Sequence, residues 1–177
     1  MKKFITVSIT LASIALLLLL FIFSGLFNPS ALSPHSNFTK WAINTTLDKS
    51  IERRAKKIEA PNLSDSSLIN EGFQHYNEMC VLCHSAPGIN ESEIAKGLYP
   101  GAPNLYEYAS QMDPKETFWV IKNGIKMTGM PAFGPTHTDQ NIWAITAFII
   151  QKLGKMTPEQ YKMLQNKYIE RTIEDHD

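Results

Sequence analysis

The sequence predicts an all-α protein: a helical domain preceded by one apolar segment near the N-terminus. Three observations carry this. Residues 4–27 contain no charge. Downstream, apolar residues recur at spacings of three and four between recognisable helix caps. No stretch alternates apolar and polar residues in the way a half-buried strand would.

Composition sets the outer bounds. The chain has 177 residues, 44% of them hydrophobic, and a formal net charge of zero. This is enough for one modest domain with an accessory segment. Residues 40–59 hold six Lys/Arg against three Asp/Glu, a net +3, whereas residues 65–177 hold nine against fourteen, a net −5. Neither region is a basic footprint for nucleic acid.

Residues 4–27 follow Met1-Lys2-Lys3. As a helix they would measure about 36 Å, more than the roughly 30 Å hydrocarbon core of a bilayer. A cleaved signal peptide shares the basic start and apolar centre. Its cleavage site is poorly provided for: Ala31-Leu32-Ser33 is followed by Pro34, and sites ending at Ser24 or Gly25 place Ile22 or Phe23 where a small residue is preferred. No cysteine follows the run, so a lipoprotein signal is absent. The expectation is an uncleaved anchor, with Lys2 and Lys3 cytoplasmic and the remaining chain exported. The expected organisation is residues 1–34 as anchor and flank, 35–64 as a basic juxtamembrane helix and linker, 65–154 as the domain, and 155–177 as a C-terminal helix.

In the juxtamembrane segment Leu47, Ile51, Ala55 and Ile58 recur at helical spacing, with Lys49, Arg53, Arg54, Lys56 and Lys57 on other faces. The pattern suits a solvated spacer helix; it also suits a helix near anionic head groups or against an acidic partner. Ala60-Pro61-Asn62-Leu63 ends it. Ser66 or Ser67 is positioned to cap the first domain helix, with Leu68, Phe73 and Tyr76 apolar, running to about Cys80. Asp113-Pro114-Lys115-Glu116 reads as a cap, a first-turn proline and the acid of a capping box; Phe118 and Ile121 give that helix its core face and Gly124 its stop. Thr138 opens a third helix with a stripe of Ile142, Ile145, Phe148 and Ile149, ended by Gly154. Thr157-Pro158-Glu159-Gln160 repeats the capping logic for a terminal helix. Between them residues 85–112 form a long irregular stretch that needs something to organise it.

Cys80-Val81-Leu82-Cys83-His84 supplies that organiser. Cys80 and Cys83 are the only cysteines. In the pattern C-x-x-C-H each thiol can add across a haem vinyl group, and the adjacent histidine is then held against the iron. A disulfide would close a trivial loop and leave His84 unexplained. A thioredoxin-like redox pair wants a strand-helix-strand context that is missing. Zinc would need a further ligand, and His35, His75, His137 and His176 show no paired spacing. The motif therefore predicts one covalently attached haem c, with Cys80 and Cys83 as its tethers and His84 as an iron ligand. A second ligand belongs downstream, where "GIKMTGMPAFG" over residues 124–134 offers Met127 and Met130. A thioether is a soft, neutral ligand that favours ferrous iron and raises the potential.

At this point the chain resembles the single-haem, class I c-type cytochromes of bacteria, over residues 67–153. The resemblance rests on residues 80–84, Gly101-Ala102-Pro103-Asn104-Leu105 and residues 121–133. It implies a helical shell around the haem with the first and last helices crossing. It also implies Met130, the Met followed by Pro131, as the sixth ligand, which leaves Met127 as reserve and ordinary packing residue. In the family a proline in a G-P-x-L-like segment offers its carbonyl to the outer nitrogen of the haem histidine. Here that is Pro103, or Pro100 given the extra Ala102, and the bond would fix the imidazole and raise its basicity. Trp119, Tyr99, Phe133 and Trp143 are candidate haem-wall residues.

An iron with two protein ligands leaves no vacant position for substrate, so the expectation is an electron carrier rather than an enzyme. No Ser/His/Asp-type set, phosphate loop or paired carboxylate motif supports a hydrolase. The expected place of work is the periplasmic side of a bacterial cytoplasmic membrane, with redox partners that present a basic face to the acidic domain. Two alternatives remain: a gas sensor or peroxidase-like enzyme with a labile Met130 bond, and a fixed haem subunit of a larger membrane oxidoreductase. His137 reads as a surface or loop histidine.

Overall fold

A computed structural model describes residues 2–174; His176 lies outside the described residues. The chain divides into two compact units, residues 1–34 and 35–177. In the first, α1 (Lys2–Phe23) has no buried residue and carries only Lys2 and Lys3 as charges. Its 22 residues are long and apolar enough to cross a membrane by length and composition.

The second unit is helical throughout: among the described residues there is no strand, only an isolated bridge between Ala86 and Ile89. It opens with α2 (Asn37–Ala55), capped by Ser36, whose hydroxyl accepts from the Thr39 amide at 3.2 Å. The spaced apolar residues of α2 do not leave it as a solvated spacer. Ile51 and Ala55 are buried against α7 (Pro114–Asn123), and Arg54 lies over the Trp119 ring, 5.9 Å from its centroid. The apolar stripe explains this, because it has somewhere to be buried.

The domain is built on the crossing of α3 (Ser66–His75) with α8 (Asp139–Gln151). Asp65 caps α3 rather than Ser66 or Ser67, its carboxylate accepting from the Ser67 amide at 2.8 Å and the Ser67 hydroxyl at 3.0 Å. These bonds hold the Asp65 carboxyl below its usual range. The crossing is close: a Cβ added to Gly72 would lie 1.9 Å from the Ala144 carbonyl oxygen. Around it Ile142, Ile145, Phe148 and Ile149 are all but fully buried, and Phe73 meets Phe148 and Tyr161 edge-on at 5.5 Å. Each such side chain contributes about 1.5–3 kcal/mol by leaving water. A capping box between Thr138 and Asn141 starts α8. The helix stops at Gln151, before Gly154, which sits instead in the following 3-10 turn. There a Cβ would come within 2.9 Å of the Ala109 Cβ, so close packing is what requires glycine.

Asp113 caps α7 by accepting from the Lys115 and Glu116 amides at 2.8 and 3.0 Å; the reciprocal bond expected from Glu116 does not form. Thr157 and Gln160 do exchange both bonds at the start of α9 (Pro158–Glu174). This last helix clasps the turn after α3. Tyr161 is fully buried with its hydroxyl on Asn77 at 3.3 Å, Gln165 donates to Asn77 at 2.8 Å, and Tyr168 donates to Glu78.

Candidate functional site

α3 does not run straight into the cysteine pair. Tyr76–Cys80 is a π-helical turn, closed by the Val81 amide on the Tyr76 carbonyl, and α4 (Val81–His84) continues from it. Such single wide turns recur at functional sites because they re-aim the residues that follow. Here the turn sets Cys80 in the core, 8% exposed, with Cys83 half-buried and Leu82 facing solvent. Both thiols are free. Burial pushes the Cys80 thiol up to about 12. A redox-active thiol needs the opposite shift, so this cysteine is not set up as a thiolate nucleophile.

Two bonds fix the end of the motif. Tyr76, fully buried, donates its hydroxyl to the Ser85 carbonyl at 2.7 Å. Ser85 itself has φ 56° and ψ −174°, a backbone region that suits glycine almost alone. The chain thus leaves His84 through a strained residue that is 3% exposed and anchored from below. His84 Nδ1 lies 2.9 Å from the Pro103 carbonyl oxygen. A carbonyl only accepts, so Nδ1 carries a hydrogen and donates, and in the neutral ring Nε2 is the nitrogen with the lone pair. Burial lowers the His84 pKa, outweighing the Pro103 bond that raises it. With Nδ1 donating to Pro103, Nε2 is the ring nitrogen left to ligate a metal. Pro103, not Pro100, supplies this carbonyl.

The irregular segment is tied to the motif in a second place. Ser92 donates to the Leu82 carbonyl at 2.6 Å and caps α5 (Glu93–Lys96) with the same oxygen, which accepts from the Ala95 amide at 3.1 Å. With α6 (Leu105–Tyr108) and the 3-10 turn Ala109–Gln111, residues 85–112 contain more helix than their sequence indicates.

The methionines separate clearly. Met130 is half-buried and packs against the core, whereas Met127 is 94% exposed with φ 63°. The loop carrying Met130 is built on Gly124, at φ 64° and ψ −174°, where a Cβ would lie 2.7–2.8 Å from backbone atoms of Met130, Pro131 and Ala132. The Ile125 amide bonds the Met130 carbonyl at 3.1 Å, and Gly129 lies against the Leu98 side chain.

The candidate wall residues are divided among protein contacts. Trp143 stacks on Phe118 at 4.1 Å between α7 and α8, Trp119 faces Arg54, and the Tyr99 hydroxyl accepts from the His35 amide at 2.8 Å. Phe133 meets His137 edge-on at 5.5 Å. His137 is not a free surface group: it is half-buried, 5.3 Å from the His75 ring and 2.9 Å from the Thr136 hydroxyl. Tyr76 and Ser85 were not identifiable as site residues from sequence, since an apolar helical position and a lone serine carry no such signal. Among the described residues no group of three or more His, Cys, Asp or Glu is arranged to hold a bare metal ion. A cleft of about 870 Å³ between α2, α7 and α8 contains none of the motif residues.

The donor set fits haem c. Two free thiols stand three residues apart on one helical stretch, a histidine follows with its Nδ1 tied to the Pro103 carbonyl, and a half-buried thioether lies in the loop after α7. A helical shell closed on a C-x-x-C-H turn, with a c-type cytochrome family model matching the same residues, supports a class I c-type cytochrome domain. Within that class, residues 67–149 match the family described as cytochrome c oxidase, cbb3-type, subunit III. No curated protein matches the chain.

Proposed function

We propose that this chain is a membrane-anchored, single-haem c-type cytochrome that passes electrons between redox partners outside the cytoplasmic membrane. The observation that carries the reading is the His84 Nδ1 bond to Pro103 at 2.9 Å, which leaves Nε2 as the ring nitrogen available to a metal, one residue after two free thiols. Bound haem c supplies a one-electron Fe(III)/Fe(II) couple. Cys80 and Cys83 would tether the group, His84 would ligate its iron, and Met130 would provide the soft ligand that favours the ferrous state. The strained Ser85 and the Tyr76 bond beneath it keep His84 from rotating away. α1 supplies the anchor, and the charge of −5 over residues 65–177 favours a partner with a basic face.

Titration of the ferrous protein with carbon monoxide tests the carrier reading against a sensor or peroxidase. The closed set of ligands predicts no rapid binding at neutral pH, and stoichiometric rapid binding would refute it.

The family match favours a second reading, in which the chain is a fixed haem subunit of an oxidase-type membrane complex. Native gels of membranes solubilised in mild detergent separate the two. A free carrier runs near its own mass, and a subunit runs with its complex.

A further inference from the structure

α2 buries one face on α7 and leaves the opposite face open. At 100° per residue, Phe38, Ala42, Lys49, Arg53 and Lys56 lie opposite Leu47, Ile51 and Ala55, with Trp41 on the flank. Phe38 is 74% exposed and Trp41 63%, their rings 5.8 Å apart. Further along, the Lys49 and Lys56 side chains are 74% and 69% exposed, and both ammonium groups bind Glu52 at 2.9 Å. The stripe is aromatic where it begins and basic where it ends.

We propose that this outward face of α2 is a bilayer-contact surface, with Phe38 and Trp41 entering the head-group boundary and Lys49, Arg53 and Lys56 lying on anionic phospholipid, so that the domain is held at a set orientation to the membrane. The proposal rests on the anchoring reading and extends it. Three features favour lipid over an acidic protein. Exposed Trp and Phe joined to basic residues on one helix stripe is the pattern of interfacial helices. Of the two acids beside the stripe, Asp48 and Glu52, Glu52 is already paired with Lys49 and Lys56. Only residues 24–36 separate α1 from α2, and a tether of that length makes even a weak surface effective by raising its local concentration. The bilayer that α1 can span is therefore the surface α2 meets most often.

The test uses full-length, haem-loaded protein in vesicles of phosphatidylcholine with and without phosphatidylglycerol. Cys80 and Cys83 are consumed by haem attachment, so a nitroxide label goes to one introduced cysteine: Trp41→Cys, Leu17→Cys in α1, or Met163→Cys on α9, where Met163 is 65% exposed. Collision with oxygen reports lipid and collision with a water-soluble nickel complex reports solvent; an unchanged haem spectrum certifies each fold. The label at 41 should favour oxygen severalfold in anionic vesicles, and the label at 163 should favour nickel. Lys49→Gln, Arg53→Gln and Lys56→Gln together should return the label at 41 to solvent by at least about fivefold, as should high salt. A label at 41 as nickel-accessible as that at 163, with the label at 17 in lipid, overturns the contact and leaves the anchor. A solvent-exposed label at 17 overturns both. Shielding at 41 that requires added membrane proteins and is absent in pure lipid overturns the choice of lipid as occupant.

Discussion

Replacing Gly124 by alanine perturbs the Met130 loop without touching Met130. Gly124 sits at φ 64° and ψ −174°. A side chain in that region costs about 1–3 kcal/mol. The new Cβ would also lie 2.7 Å from the Ala132 nitrogen and the Pro131 carbonyl carbon and 2.8 Å from the Met130 oxygen, all backbone atoms that cannot swing aside. Overpacking of this kind adds about 1–3 kcal/mol. The lower entropy of the unfolded alanine chain gives back about 0.4–1 kcal/mol. Gly124→Ala should therefore lose about 2–5 kcal/mol in guanidinium denaturation of the haem-loaded protein, with unchanged m-value. Because the clash falls on residues 130–132, the weak far-red sulfur-to-iron band of the ferric protein should weaken or vanish. Gly101→Ala is the control: nothing lies within 4 Å of its Cβ position, and stability should change by less than about 0.5 kcal/mol. A Gly124→Ala protein as stable as the control, with its band intact, would refute both the strain argument and the placement of Met130 by this loop.

Three further substitutions read other parts of the account. Met130→Ala should abolish the far-red band and lower the reduction potential, while Met127→Ala should leave both unchanged, since the Met127 side chain is in solvent; spectroelectrochemistry checks the pair. Ser85→Gly should raise stability by about 1 kcal/mol by releasing the residue from a glycine-only region, and an unchanged or lower free energy of unfolding in guanidinium would show that Ser85 is unstrained. Gly72→Ala should destabilise by about 3 kcal/mol or more despite alanine's helix propensity, because its methyl would meet the Ala144 backbone oxygen; calorimetry giving an unchanged or raised Tm would mean that α3 and α8 cross less closely.

Much of this architecture was legible because local signals agreed with tertiary packing. The caps at Asp113, Thr138 and Thr157 and the stripe of α8 specify helices whether or not their neighbours are known. Other features depend on the partner. Asp65, Ser66 and Ser67 can each cap a helix, and only the fold selects Asp65. The stripe on α2 announces a buried face but not that α7 receives it. Gly154 looks like a helix stop and is instead a point of close approach to Ala109. The π turn at Tyr76–Cys80 leaves no mark in the sequence, since it forms when α3 must meet α8 while Tyr76 and Cys80 both enter the core. In the candidate site the same division holds. Cys80, Cys83 and His84 are readable from spacing alone, and Pro103 was one of two prolines until the His84 bond placed it. The strain at Ser85 is invisible, because serine gives no warning of a glycine-like backbone.

On the proposed function, Cys80, Cys83, His84 and Met130 would hold one covalent haem with two protein ligands on its iron. This is tested most directly by the absorption spectrum of the purified protein in both oxidation states, taken together with haem staining of the denatured chain. One haem per chain should stay with the polypeptide on a denaturing gel, with a low-spin spectrum when reduced and a far-red thioether band when oxidised. A chain without haem, haem released by denaturation, or a high-spin spectrum lacking the band would contradict it.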